Sequence, residues 1–187
     1  MSNALQVVVV SGGAYSPSRT LVLAKAILDE LQTRLTIESR LIELGTIARQ
    51  LGGALSRQEL SPEVDAEIQA IENADLLIIA TPVYRGSYPG LLKHLFDLVD
   101  INGLIDTPVL LAATGGSDRH ALVLEHQLRP LFSFFQALTL PIGVYATESD
   151  FANYQIISEP LQARIRLAAE RAAPLFGVSA TPLLKIA

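Results

Sequence analysis

Three short stretches of this 187-residue chain gather the residue types that hold small anions and flat rings: Ser11 to Arg19, Thr81 to Pro89, and Thr114 to Asp118. The first reads Ser-Gly-Gly-Ala-Tyr-Ser-Pro-Ser-Arg. Glycines let a backbone turn tightly and bring its N–H groups toward a ligand. Serine hydroxyls add donors, and a helix that starts at Ser18 presents free N–H groups with a partial positive charge. Together these suit a phosphate monoester, with Ser16, Ser18 and Arg19 as the side chains. Ser18 taken alone serves equally well as a helix N-cap. The G-x-x-x-x-G-K-[ST] pattern is missing, as is G-x-G-x-x-G, so a mononucleotide fits better than ATP or an integrally bound dinucleotide.

The second stretch, Thr81-Pro82-Val83-Tyr84-Arg85-Gly86-Ser87-Tyr88-Pro89, sets prolines and glycine among two tyrosines. It makes a stiff, shaped loop with aromatic surface and backbone polar groups, a match for a flat ring with polar edges. Each tyrosine singly is an ordinary packing residue; the segment carries the reading. Backbone donors from Tyr84 to Gly86 are expected to face charge gathering on such a ring. No nucleophile–base pair or carboxylate pair stands out, so no acid–base residue is assigned.

Composition excludes several classes. The chain has no cysteine, which removes disulfides and thiol chemistry. His94, His120 and His126 are scattered without ligand spacing, so no metal site is expected. A net charge of -5 argues against nucleic acid as a partner, because a phosphate backbone needs a clustered basic face. No run approaches the roughly 18 apolar residues of a membrane span, and the start lacks the basic flank of a secretory signal. The expectation is a cytoplasmic protein working on a small molecule.

The elements that must position these loops alternate along the chain. Apolar runs at Leu5–Val10, Leu76–Ala80 and Val109–Ala113 read as strands buried on both faces. Ile37–Leu44 is a more polar, edge-like strand, and Leu140–Ala146 the last. Helices are expected from Ser18 to about Leu35, with Leu21, Ala24, Leu28 and Leu31 as its stripe, and from Ser61-Pro62 to Asn73, where serine caps and proline occupies the first position. Others are expected over Gly90–Val99, after Asp118 through about Ala137, and over Pro160–Phe176, stopped by Gly177. Residues 45–60 read as a connection able to hold a short helix.

Strands alternating with helices, with no dividing linker, give one α/β domain over 1–187: a flavodoxin-like three-layer sandwich with a five-stranded parallel sheet in the order 2-1-3-4-5. Ligands in such folds bind beyond the carboxyl ends of the strands, where strand order reverses. The three loops leave the sheet there.

The run P-V-Y-R-G-S-Y-P-G-L-L-K followed by Asp97 closely resembles the active-site segment of NADPH-dependent FMN reductases. Ala113-Thr114-Gly115-Gly116-Ser117 resembles that family's second flavin-contacting loop, and the first loop occupies its phosphate-binding position. The resemblance spans about residues 5–146. It implies hydride transfer from NADH or NADPH to FMN. It places the phosphate at Ser16, Ser18 and Arg19, and the isoalloxazine and ribityl chain against Pro82, Val83, Tyr84, Arg85 and Gly86 and against Thr114, Gly115, Gly116 and Ser117. Within the family, Ala-Thr-Gly-Gly with a following helix ending Gln-Leu-Arg-Pro resembles reductases that hand reduced FMN to alkanesulfonate or methanesulfonate monooxygenases. The family forms homodimers and homotetramers through this helix, which carries His126.

One departure stands out: the family loop begins Gly-Ser-x-Arg, and here the matching residues are Gly12-Gly13-Ala14-Tyr15. Phosphate binding then relies on Arg19 and backbone, which suits a flavin that comes and goes as a substrate. No basic pair can be assigned to a 2′-phosphate, which favours NADH. The rival readings are a quinone or azo reductase with tightly held FMN and a flavodoxin-type electron carrier, which the missing T-x-T-G-x-T-like loop and modest acidity disfavour.

Overall fold

The computed structural model describes residues 4–177; of the expected 1–187, residues 1–3 and 178–187 lie outside the described residues. Strands β1 (Leu5–Ser11), β2 (Ile37–Glu43), β3 (Leu76–Pro82) and β4 (Pro108–Gly115) alternate with α1 (Arg19–Gln32), α2 (Leu44–Gly53), α3 (Pro62–Glu72) and α4 (Gly90–Asp97). Then come α5 (Arg129–Phe134), β5 (Leu138–Thr139), β6 (Val144–Thr147), a hairpin of β7 (Phe151–Ala152) and β8 (Gln155–Ile156), and α6 (Glu159–Ala172). The sheet is parallel in the order β2-β1-β3-β4-β5, with β6 also paired to β4. This is the expected flavodoxin-like order.

Every residue of β3 is buried, as are Val7 to Ser11 of β1 and Val109 to Thr114 of β4. Alternate side chains feed two cores, because successive residues of a strand point to opposite faces. Val7 and Val9 of β1 pack with Leu23, Ile27 and Leu31 of α1 and Leu161 and Ile165 of α6. Val8 and Val10 pack with Ile68 of α3, Leu95 and Phe96 of α4 and Phe132 of α5. Phe96 and Phe132 meet edge to face at 4.9 Å. The phenylalanine cluster is core on that side, except Phe134, which is exposed.

The stripe of α1 needs correction: it is Leu23, Ala24, Ile27 and Leu31, and Leu21 and Leu28 are only half-buried. The connection after β2 does hold a helix, the ten-residue α2, which buries Leu44 and Leu51. Its end is tied to α4 by His94, whose Nε2 donates to the carbonyls of Leu51 and Ala54 at 3.0 and 2.8 Å.

The long helix expected after Asp118 is broken. A single 3-10 turn (Asp118–His120) leads to a π-helical stretch, Leu124–Leu128, before α5. Pro130 lacks the N–H that a regular helix would bond to His126, and the Arg129 N–H reaches back to Leu124 instead.

The last strand is also split. Its lower part, β5, pairs with Pro108 and Val109, and its upper part, β6, pairs with Ala112 to Gly115. Pro141 between them cannot donate to a ladder. The carbonyls at the edges of this gap are taken by arginines: Arg129 donates to Leu140 at 3.1 Å and Arg164 to Gly143 at 2.8 Å.

Candidate functional site

At the carboxyl ends of β1, β3 and β4 a cleft of about 240 Å³ opens to solvent. It lies at the reversal of strand order, since β1 leads outward to β2 on one side and β3 and β4 follow on the other. Its floor is knitted by backbone: Gly12 N–H donates to Ala80 O at 2.7 Å and Val83 N–H to Thr114 O at 2.8 Å. Beneath it, the buried hydroxyls of Thr20 and Thr114 meet at 2.6 Å, joining the first turn of α1 to the end of β4.

Ser18, Arg19, Pro82, Val83, Tyr84, Thr114, Gly115 and Gly116 all line this cleft. Residues 94 positions apart in sequence are thus brought into one hydrogen-bonded unit. Ser18 is the N-cap of α1: its Oγ accepts from Leu21 N–H at 3.2 Å. The hydroxyl proton remains available, so capping and ligand contact are compatible. The N–H groups of Arg19 and Thr20, in the first turn of α1, have no intrahelical partner, and both residues line the cleft.

Four of the expected residues lie off the cleft wall. Ser16 is on the exposed outer part of the first loop, next to a cis Ser16–Pro17 bond. Arg85 and Gly86 form the tip of a tight reversal. Tyr84 N–H donates to Ser87 O at 2.8 Å, and Ser87 N–H donates back at 3.2 Å. The tip residues have φ of 53° and 85°, the left-handed pair that a two-residue hairpin turn requires. The Tyr84 N–H of the expected donor set is thus used inside the turn. Ser117 sits past the cleft, where its carbonyl accepts from Tyr145 Oη at 2.6 Å.

That bond explains Gly115. A Cβ there would lie 2.1 Å from Tyr145 Oη and 3.1 Å from its Cζ. Only glycine lets the tyrosine cross under the loop and hold it. Burial, and secondarily the Asp118 carboxylate, push the Tyr145 phenol above its ordinary value.

The sequence reading missed the wall supplied by the segment after β6. Thr147, Glu148 and Tyr154 line the cleft, together with Gly13, Tyr15, Pro17 and Thr20. Glu148 Oε1 lies 2.5 Å from Arg19 Nη2, and the Arg19 guanidinium lies 6.0 Å from the centre of the Tyr154 ring. A 3-10 turn, Glu148–Asp150, carries the carboxylate. Asp150 fixes that turn by accepting from the Thr147 N–H at 2.7 Å and hydroxyl at 3.0 Å. Partial burial opposes ionisation of Asp150, but hydrogen bonds from Ser158 and Thr147 outweigh it and hold its pKa below the ordinary value. Asn153 and Tyr154 both have positive φ. No asparagine-glycine pair marks that turn in the sequence, so there was little signal to find it.

Among the described residues there is no cluster of His, Asp or Glu able to hold a metal, and no helix long and apolar enough to cross a membrane. His126 is exposed on the π-helical stretch, away from the cleft.

Residues 5–152 match the family described as NADPH-dependent FMN reductase. The chain belongs to that family. The reductase is 78% identical over its full length, and over the full length of the relative, to the NADH-dependent FMN reductase SfnF of Pseudomonas fluorescens. It is 68% identical, again over the whole of both chains, to a protein of Pseudomonas aeruginosa named FMN reductase (NADPH). Among solved structures it resembles an oxidoreductase from Corynebacterium diphtheriae, with a TM-score of 0.84 and 32% identity, covering 93% of this chain and 97% of the other. The reductase is therefore an enzyme that works with FMN and a nicotinamide nucleotide.

Proposed function

We propose that the chain acts as one reductase domain that takes hydride from NADH to FMN, releases the reduced flavin, and so supplies a sulfonate-type FMNH2-dependent monooxygenase. The observation that carries this reading is the cleft itself, which brings Ser18, Arg19 and the start of α1 together with the Pro82–Tyr84 and Thr114–Gly116 segments across the Thr20–Thr114 contact. Its volume is below the roughly 300–1,000 Å³ of pockets that enclose a ligand. A mononucleotide would stand partly out of it, which is what a flavin that must meet a nicotinamide requires.

In this reading Ser18, Arg19 and the first N–H groups of α1 receive the phosphate. Pro82, Val83 and Tyr84 back one side of the ring, and Thr114, Gly115 and Gly116 edge it. Gly116 has open space where a Cβ would stand, so its backbone is accessible from the cleft. FMN supplies the hydride-accepting chemistry, while the protein orients the rings and limits water access. Arg85, Gly86 and Ser117 shape the loops from behind. The NADH preference rests on the lack of an assignable basic pair for a 2′-phosphate and on the 78% identical relative being named as NADH-dependent. The monooxygenase partner rests on the Ala113–Ser117 segment and the Gln-Leu-Arg-Pro that follows it.

The test is steady-state NADH and NADPH oxidation by purified protein, with and without added FMN. Activity that requires added FMN and prefers NADH supports the reading. A protein that stays flavin-loaded through purification and reduces quinones without free flavin overturns it. Absence of any NADH oxidation would favour an electron carrier.

A further inference from the structure

The cation expected to meet the flavin phosphate is already partnered. Arg19 and Glu148 form an ion pair at 2.5 Å, their side chains 42% and 62% exposed. Both line the cleft beside Ser18. Glu148 is held there by construction: it opens the turn that Asp150 fixes to Thr147, and Thr147 continues the ladder of β6 opposite Gly115. The aromatic face of Tyr154, carried on the β7–β8 hairpin, flanks the same guanidinium.

A phosphate arriving at this end competes with the carboxylate for Arg19 and, once bound, lies beside a like charge. An exposed ion pair contributes only up to about 1 kcal/mol, so a dianion can displace it. Like charges a few ångströms apart still repel where solvent screening is incomplete.

We propose that Glu148 is a built-in competitor for the flavin phosphate, lowering FMN affinity and narrowing the preference for FMN over unphosphorylated riboflavin. The proposal rests on the reading of this end of the cleft as the phosphate site. It gives a physical reason why a flavin on this reductase leaves: the positive charge that draws FMN in is returned to an internal carboxylate when FMN departs. The altered first loop and the Arg19–Glu148 pair then act in the same direction.

The experiment is equilibrium binding of FMN and of riboflavin to the flavin-free protein, followed by quenching of flavin fluorescence. Glu148→Gln should lower the Kd for FMN about fivefold, corresponding to about 1 kcal/mol, and leave the riboflavin Kd within twofold. Glu148→Lys should move FMN further in the same direction. Arg19→Met should raise the FMN Kd toward that of riboflavin.

An unchanged or weaker FMN Kd in both Glu148 variants overturns the competitor role. So does an equal shift for both flavins, which marks a structural effect. If Arg19→Met leaves the ratio of FMN to riboflavin affinity untouched, the phosphate placement fails and the proposal with it. If Arg19→Met weakens FMN while the Glu148 variants do nothing, the placement stands and only the competitor role is lost.

Discussion

Replacing Gly115 with alanine tests how the third loop is held. The added Cβ would lie 2.1 Å from Tyr145 Oη, so the phenol must retreat by roughly 1.5 Å to reach ordinary contact distance. That movement breaks its 2.6 Å bond to Ser117 O. Losing the partner of a half-buried hydroxyl costs about 1–3 kcal/mol, and overpacking costs about 1–3 kcal/mol more. The two overlap, because relieving one worsens the other, and we expect a loss of about 2–4 kcal/mol. For a chain of this size each kcal/mol lowers Tm by roughly 2–4 °C.

Tyr145→Phe alone removes the hydroxyl and should cost about 1 kcal/mol. In the double variant the nearest ring atom is Cζ, at 3.1 Å, tight but tolerable. The Gly115→Ala/Tyr145→Phe protein should therefore be more stable than the sum of the single losses predicts, by about 1–2 kcal/mol. Urea titrations of the four flavin-free proteins measure this cycle. A Gly115→Ala loss below about 0.5 kcal/mol, or strict additivity of the pair, would refute the assignment of this glycine to the tyrosine crossing.

Thr20→Val should cost about 1–3 kcal/mol by stranding the buried Thr114 hydroxyl, whereas Thr20→Val/Thr114→Val should recover much of that loss; thermal melts of both decide it. Asp150, whose pKa is lowered in the fold, stabilises the protein above its unfolded pKa of about 3.9, and this contribution fades as pH falls through the folded value. Asp150→Asn keeps an acceptor but loses the charge, and should therefore flatten part of the acid limb of a stability-versus-pH curve measured by urea titration. Tyr145, whose pKa is raised, contributes stability that is complete below its unfolded value of about 10 and is lost as pH climbs through the folded value. Tyr145→Phe should remove that alkaline decline, read from denaturant midpoints between pH 9 and 11.

Much of the fold was legible because it rests on local signals. Short unbroken apolar runs ending in glycine or proline turns read as strands buried on both faces, and Ser61-Pro62 and Ser18 announce helix starts by hydrogen-bond chemistry that needs no distant partner. Misread segments were those where several local solutions compete. In α1, all of Leu21 to Ala24 and Ala26 to Leu28 are apolar, so the buried stripe was chosen by the sheet. Pro130 and Pro141 stand where the expected helix and last strand break, and the geometry around them depends on Arg129 and Arg164 bonding to the carbonyls of Leu140 and Gly143.

The same division runs through the site. Three loops rich in glycine, serine and tyrosine, at the ends of apolar strands, were enough to expect one shared cleft, since strand order dictates where loops converge. Tertiary structure alone decided which side chains face the cleft. Arg85 and Gly86 do not line it, because a two-residue reversal uses their left-handed φ values to close Tyr84 on Ser87. Glu148 and Tyr154 arrive from a segment without a motif, because the β4–β6 register sets Thr147 opposite Gly115. Residue types determined the chemistry on offer; the pairing of distant strands determined that Arg19 meets the carboxylate of Glu148.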